Sequence, residues 1–141
     1  MSTFDLFPAV DVSSGDLSRL SSGGLTRLGV DPVEVARGFV AGGARWIHVV
    51  DLDAALGDGS PRNLAVLERI AALGVRVQAG GGLSPAGVAE ALRAGADRAI
   101  LGARWIGDES ALAGTVAAHG SRAGVGLDVD GEAVRDRKSV V

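Results

Sequence analysis

Two kinds of apolar segment alternate along the 141 residues of this chain, and the alternation limits the folds that are open to it. Short, continuous apolar runs have the character of buried strands, whereas the longer segments between them repeat apolar residues every three or four positions, as amphipathic helices do. The strand-like runs are residues 6–12, 46–50, 75–79, 98–101 and 123–127. This order, βαβαβαβαβ, predicts an α/β protein with an all-parallel sheet.

Capping residues place the predicted helix boundaries. Asp31 and Ser84 are N-cap residues, and each is followed by a proline, which suits the first helical position. Asn63 and Asp108 are predicted to cap the other two helices. The segment 17–30 is rich in glycine and serine and has no clear period, so we expect a long, mobile loop there, of the kind that carries functional residues.

Polar residues and glycines follow the predicted strands at their carboxyl ends. They are Asp11, Asp51, Asp53, the glycine triplet 80–82, Gly102 and Asp128. This edge of a parallel sheet is where both doubly wound folds and (βα)8 barrels build their sites. No GxGxxG motif follows the first strand, so the barrel is favoured over a dinucleotide-binding fold.

The glycine triplet is predicted to bind a phosphate group. Three adjacent glycines leave their backbone N–H groups unshielded, and the helix that begins at Ser84 places a positive dipole end beside them. The alternative is a tight strand-to-helix turn that requires flexible residues. For a lone triplet we weigh the two readings equally, and the acids at the other strand ends favour the phosphate site.

Composition excludes several functional classes. The net charge of −3 and the lack of a basic run argue against nucleic-acid and membrane partners, so a phosphorylated ligand would depend on local donors. The chain has no cysteine, which excludes thiolate metal sites and is compatible with a cytoplasmic location. It also has no secretion signal and no run long enough for a membrane span. We expect neither a metal nor an organic cofactor.

Taken together, these stretches resemble the phosphoribosyl isomerases of histidine biosynthesis. The matching residues are 8–12, 19–20, 31–36, 43–44, 46–53, 80–82, 94–98, 101–102 and 125–128. The sister cyclases share the glycine features but usually carry a lysine soon after the first strand's acid, whereas this chain has Arg19. The resemblance implies a TIM barrel that converts an aminoaldose, the formimino-AICAR ribotide ProFAR, to its aminoketose. A bifunctional relative that also isomerises phosphoribosylanthranilate is the alternative.

The resemblance also implies the roles of particular residues. Asp11 would accept the substrate's C2 proton and Asp128 would donate a proton to the ribose ring oxygen, although lone strand-end aspartates are more often caps. Two carboxyl groups can divide these tasks if their pKa values differ. The set implied for phosphate binding is Arg19, Gly81, Gly82, Gly102 and Ala103. Ala103 replaces a threonine that is frequent in the family, so only its backbone donor remains. For Arg19, a role as a solvated loop residue is weighed equally with phosphate binding. His48 is expected to be a satisfied core histidine.

The chain is shorter than a whole barrel of this type, which takes roughly 200 residues or more. We therefore expect residues 1–135 to form an N-terminal portion that lacks strands 6 to 8 and is inactive by itself. Its open barrel edges would favour self-association, and a non-catalytic half-barrel that binds phosphate is the competing reading. Residues 136–141 match one reading frame of a short-read sequencing adapter, so we expect a non-native tail.

Overall fold

A computed structural model describes residues 4–131 and 133–135. The strands are β1 (Ala9–Ser13), β2 (Asp16–Ser21), β3 (Gly24–Arg27), β4 (Trp46–Asp51), β5 (Arg76–Leu83), β6 (Arg98–Leu101), β7 (Ala123–Val125), β8 (Asp128–Asp130) and β9 (Ala133–Arg135). The helices are α1 (Pro32–Ala41), α2 (Leu52–Leu56), α3 (Leu64–Ala71), α4 (Pro85–Arg93) and α5 (Glu109–His119), with 3₁₀ turns at Ala103–Trp105 and Gly120–Arg122. The proposed tail, 136–141, lies outside the described residues.

Five parallel strands form the main sheet, in the order β1-β4-β5-β6-β7. The prediction of a parallel α/β fold is thereby confirmed. Helices α1, α3, α4 and α5 each lie between two consecutive parallel strands in the chain, as βαβ units require. This is the arrangement of the first βα units of a TIM barrel.

Three of the four predicted helix caps form the expected hydrogen bonds. Asp31, Ser84 and Asp108 accept the backbone N–H groups of residues 33, 87 and 111 at 2.9, 3.0 and 2.9 Å. Asn63 occupies the N-cap position of α3 but makes no side-chain cap bond. Its side chain is used elsewhere, at the candidate site.

The segment predicted as an aperiodic loop is a β-hairpin, so that prediction was wrong. Strands β2 and β3 pair antiparallel and extend the sheet beyond β1, which β2 pairs at Val12 and Ser13. We expected the first strand to be an unpaired edge of the partial barrel. Instead, β2 covers the carboxyl-terminal end of β1. The hairpin turns at Ser22 and Gly23, and Gly24, the first residue of β3, has φ of +106°. Glycines at such a turn are a hairpin signal.

The last predicted strand also differs from expectation. We expected it to reach residue 127, but β7 ends at Val125. Asp128 instead begins β8, which pairs antiparallel with β9 in a separate two-stranded sheet. Val125, Leu127 and Val129 are 42, 56 and 62% exposed, so an apolar strip runs from the edge of the main sheet into β8.

The hydrophobic core lies between the parallel sheet and its helices. One face of β1, β4, β5 and β6 contributes side chains that are buried against α1, α3 and α4. These are Val10, Val12, Ile47, Val49, Val77, Ala79, Ala99 and Leu101 from the strands. Because side chains alternate along a strand, the intervening residues point to the opposite face. None of the described helices is long and apolar enough to cross a bilayer.

Candidate active site

The sheet face away from the helices carries two rows of residues in register. The lower row crosses β1, β4, β5 and β6 and consists of Ala9, His48, Gln78 and Arg98. The upper row, two residues nearer the carboxyl ends, consists of Asp11, Val50 and Gly80 on β1, β4 and β5. In a barrel this face is the interior.

Hydrogen bonds connect three side chains of the lower row. Arg98 Nε donates to Gln78 Oε1 at 2.8 Å, and Gln78 Nε2 lies 3.1 Å from His48 Nδ1. Burial lowers the pKa of His48, against the opposing influence of the Asp11 carboxylate and of Gln78. His48 is therefore hydrogen-bonded, as expected for a satisfied histidine, but it is only half-buried and it interacts with Asp11 in the upper row.

Aromatic rings close the face below these rows. The guanidinium of Arg98 lies 5.0 Å from the ring centroid of Trp46 and 5.6 Å from that of Phe7. Arg76 stacks on Trp46 at 4.8 Å, and the two rings are 5.1 Å apart. Cations stacked on rings in this way are partly desolvated and fixed in orientation. The amino-terminal side of the face is thus filled, and space for a ligand lies toward the carboxyl ends.

The predicted glycine site is a region of unusually close backbone packing. Gly81 has φ of +127°, and a Cβ at that position would overlap the carbonyl oxygen of Asp51. A Cβ on Gly102 would lie 2.7 Å from the Cα of Gly82. The backbone N–H of Gly102 donates to the Leu83 carbonyl at 2.9 Å and is already used. Tight packing therefore accounts for these glycines by itself, and phosphate binding at Gly81 and Gly82 stays a prediction.

A nearby cation was missed by the sequence analysis. Arg104 follows Ala103 in the 3₁₀ turn after β6, and its Nη1 donates to the carbonyl of Gly57 at 3.1 Å. Its Nη2 lies 3.2 Å from the position that a Cβ of Gly82 would occupy. Among residues 4–131 and 133–135, no carboxylate forms an ion pair with it. The sequence signal that could have identified Arg104 is a basic residue two positions after Gly102.

A buried polar cluster joins the carboxyl ends of β1 and β4. Asn63 Nδ2 donates to Asp51 at 2.8 Å and to Asp53 at 2.9 Å, and Asn63 Oδ1 accepts the backbone N–H of Gly15 at 2.9 Å. Asn63 and Asp51 are only 6 and 7% exposed. The asparagine thus connects the turn after β1, where Gly15 has φ of +80°, to Asp51 at the end of β4 and to Asp53 just beyond it.

The two acids of this cluster are fully engaged. Asp51 also accepts the backbone N–H groups of Ala54, Arg62 and Asn63 at 3.0, 2.6 and 2.8 Å. Asp53 accepts Ser13 Oγ and the Ser14 N–H, both at 2.8 Å. Desolvation raises the pKa of Asp53, but the bonds from Ser14, Asn63 and Ser13 outweigh it and lower that pKa overall. Both acids therefore have structural roles.

The remaining predicted residues are placed apart from the two rows. Asp128 is exposed at the start of β8, and β4, β5 and β6 separate its preceding strand, β7, from β1 with Asp11. Arg19 is exposed on β2, opposite Thr26 of β3. Its place on a paired strand constrains it more than the predicted loop would. No group of three or more acidic or histidine side chains suited to a metal occurs within the described ranges.

Fold and site together define a class: βα units of a TIM barrel with polar groups collected at the carboxyl ends of the strands. The chain matches the model of a family described as "Histidine biosynthesis protein" over residues 5–140. It therefore belongs to that histidine biosynthesis family, and the resemblance seen in the sequence is confirmed.

Two similar proteins are named 1-(5-phosphoribosyl)-5-((5-phosphoribosylamino)methylideneamino) imidazole-4-carboxamide isomerase, that is, ProFAR isomerase. The protein of Opitutus terrae is 42% identical over 87% of this chain and 52% of its own length, and that of Moorella thermoacetica is 46% identical over 90% and 54%. Phosphoribosyl isomerase A of Streptomyces griseus is 40% identical over 97% and 58%. The chain thus spans about half the length of the curated relatives it matches.

Proposed function

We propose that this chain supplies the amino-terminal half of an aldose–ketose isomerase that converts ProFAR to its phosphoribulosyl form. The observation that carries the proposal is its identity of 40–46% to ProFAR isomerases and phosphoribosyl isomerase A over 87–97% of its length. The position of Asp11 supports it, because this acid lies in the upper row, at the end of the face that the stacked rings leave open.

In the proposed reaction, the two aspartates move protons without a cofactor. Asp128, in its protonated form, donates a proton to the ribose ring oxygen, and the ring opens to a Schiff base as the C1–O bond breaks. Asp11 then removes the proton from C2, and the electron pair of that C–H bond forms the enamine that tautomerises to the aminoketose.

We further propose that one substrate phosphate binds over Gly81 and Gly82, with Arg104 beside it. Arg104 Nη1 donates to the Gly57 carbonyl at 3.1 Å, and its Nη2 lies 3.2 Å from the position that a Cβ of Gly82 would occupy. Since Ala103 offers no hydroxyl, Arg104 is the side chain that supplies charge at this point. A hydrogen bond to a charged group is worth about 1.5–3 kcal/mol, more than the neutral bond that a threonine would make. Arg19, on β2, stays a proposed phosphate ligand on the strength of the family resemblance alone.

Activity can be tested by completing the barrel. Residues 1–135 are fused to the carboxyl-terminal half of the Moorella thermoacetica relative, and conversion of ProFAR is followed spectrophotometrically. Asp11→Asn and Asp128→Asn are each expected to lower kcat by about 10²–10⁴-fold, the usual contribution of a general acid or base. Asp130→Asn, an exposed acid two residues beyond Asp128, is the matched control and is expected to keep full activity.

Retained turnover in a folded Asp11→Asn chimera would remove the base assignment. An inactive parent chimera with the correct size and circular dichroism would count against the isomerase itself. Assaying the same chimera with phosphoribosylanthranilate distinguishes a bifunctional enzyme from one that is specific for ProFAR.

A second candidate function is a half-barrel that binds phosphate and pairs with another copy of itself. The exposed apolar residues Val125, Leu127 and Val129, which run from the end of the edge strand β7 into β8, favour it, because unpaired edges with apolar residues promote association. Light scattering of the 141-residue chain separates the candidates: a defined dimer supports this one, whereas heterogeneous aggregate supports the incomplete barrel. For either candidate we propose a cytoplasmic location, which the absence of cysteine permits.

A further inference from the structure

The hydrogen bonds of the lower row determine which atoms carry protons. Arg98 has only donors, so the Gln78 atom 2.8 Å from its Nε must be the amide oxygen. The other end of the amide is then the NH₂ group, which can only donate, and it lies 3.1 Å from His48 Nδ1. His48 Nδ1 must therefore accept, and the proton of the neutral imidazole resides on Nε2.

The ring edge that carries this proton faces the upper row. A Cβ built on Gly80 would lie 2.9 Å from His48 Cε1 and 3.2 Å from Nε2, so this edge of the imidazole passes over the glycine. Gly80 is in register with Val50, and Val50 with Asp11. The Asp11 carboxylate is also a named electrostatic influence on the histidine.

We propose that Arg98 and Gln78 are positioning residues that hold His48 as its Nε2–H tautomer, so that a hydrogen-bond donor lies beside Gly80 in the upper row. Two further features stabilise the arrangement. Arg98 is restricted in orientation, because its guanidinium lies beside the rings of both Trp46 and Phe7. Gln78, in turn, cannot flip its amide without placing its NH₂ group against the arginine. The contacts of Arg98 with the two rings thus fix the orientation of Gln78, and Gln78 in turn fixes the tautomer of His48.

The consequence for chemistry rests on the proposed function. A neutral donor beside a carboxylate favours its ionised form, which a base needs before it can accept a proton. The Nδ1–H tautomer would instead present an unprotonated Nε2 to the upper row, and an acceptor near the Asp11 carboxylate would favour its protonated, inactive form.

The tautomer can be measured without substrate. The 141-residue chain is labelled with ¹⁵N-histidine, and long-range ¹H–¹⁵N correlation spectra identify the protonated ring nitrogen, with half-buried His119, the other histidine of the chain, as internal reference. Wild type is expected to show a single Nε2–H form for His48. Asp11→Asn is expected to keep that form, because the hydrogen bonds from below do not involve Asp11. Asp11→Asn combined with Gln78→Leu is expected to show a mixture.

Each result decides the matter. An Nδ1–H form or a mixture in wild type overturns the proposal, as does loss of the single form in Asp11→Asn, since Asp11 itself would then be the determinant. Should the double variant fail to fold, judged by circular dichroism, wild type and Asp11→Asn still decide. Failure of the isomerase proposal is separate, because an inactive chimera leaves the tautomer unchanged.

Discussion

Replacing Asn63 with alanine tests how the ends of β1 and β4 are held together. The substitution removes three hydrogen bonds: two donated to the carboxylates of Asp51 and Asp53, and one accepted from Gly15 N–H. Bonds to charged groups contribute about 1.5–3 kcal/mol and a neutral one about 0.5–1.5, so simple addition gives roughly 3.5–7.5 kcal/mol.

The true loss should be smaller than this sum. Asp51 keeps three backbone donors and Asp53 keeps Ser13 and Ser14, so neither acid is left without partners. We expect the free energy of unfolding to fall by about 3 kcal/mol, a large share of the 5–15 kcal/mol of a typical domain. Because Asn63 makes no cap bond to α3, loss of a helix cap contributes nothing to this value.

Urea unfolding followed by circular dichroism measures the change, and hydrogen exchange of the Gly15 amide locates it. The matched control is Asp108→Ala, which removes a cap bond on the exposed end of α5 and should cost only about 1 kcal/mol. If Asn63→Ala costs no more than this control, or if the Gly15 amide keeps its protection, the cluster does not hold the two strand ends together.

Three further predictions follow from the site. Gly81→Ala should lower the free energy of unfolding in urea by about 3–5 kcal/mol, because of its φ of +127° and the overlap with a carbonyl. The control Gly38→Ala, in an open position of α1, should raise it by about 0.5–1 kcal/mol, and equal effects would refute the packing argument. Arg104→Ala should weaken binding of inorganic phosphate about tenfold by calorimetry, or more, and tighter binding would mean that the guanidinium blocks the site. Burial lowers the pKa of His48, so the unfolded state takes up a proton first as pH falls through about 6.5, and the free energy of unfolding should decrease as it does. His48→Gln should reduce this pH dependence, and an unchanged slope between about pH 7.5 and 5.5 would contradict the prediction.

The sequence was sufficient wherever a local rule determined the structure. Strand–helix alternation predicted the parallel sheet, and short polar side chains before Pro32 and Pro85 marked two helix starts. The hairpin β2–β3 was missed because its residues are exposed on β3 and alternate weakly, so only the glycine pair at 23–24 indicated it. Such a strand is stabilised by pairing rather than by burial, which periodicity does not detect.

Residues that act across the sheet could not be placed from sequence. Asn63 has the sequence context of a helix cap, yet two carboxylates from the end of β4 compete for its amide and win. Gln78 and Arg98 are 20 residues apart and become neighbours only through the register of β5 and β6. Arg104 similarly reaches Gly57 across 47 positions. Contacts of this kind depend on strand register, which the linear pattern does not specify.

The close approach of the His48 ring to Gly80 makes the tolerated residues at these two positions depend on each other. A methyl group at position 80 would occupy the space of the imidazole edge, so alanine there is unfavourable while the histidine is present. Replacing the histidine with a smaller side chain would open that space. A library that randomises both positions should therefore return glycine at 80 with histidine at 48, and larger residues at 80 only in clones that have lost the ring. A variant that had lost both residues could regain them only in a fixed order: glycine at position 80 first, and then histidine at position 48.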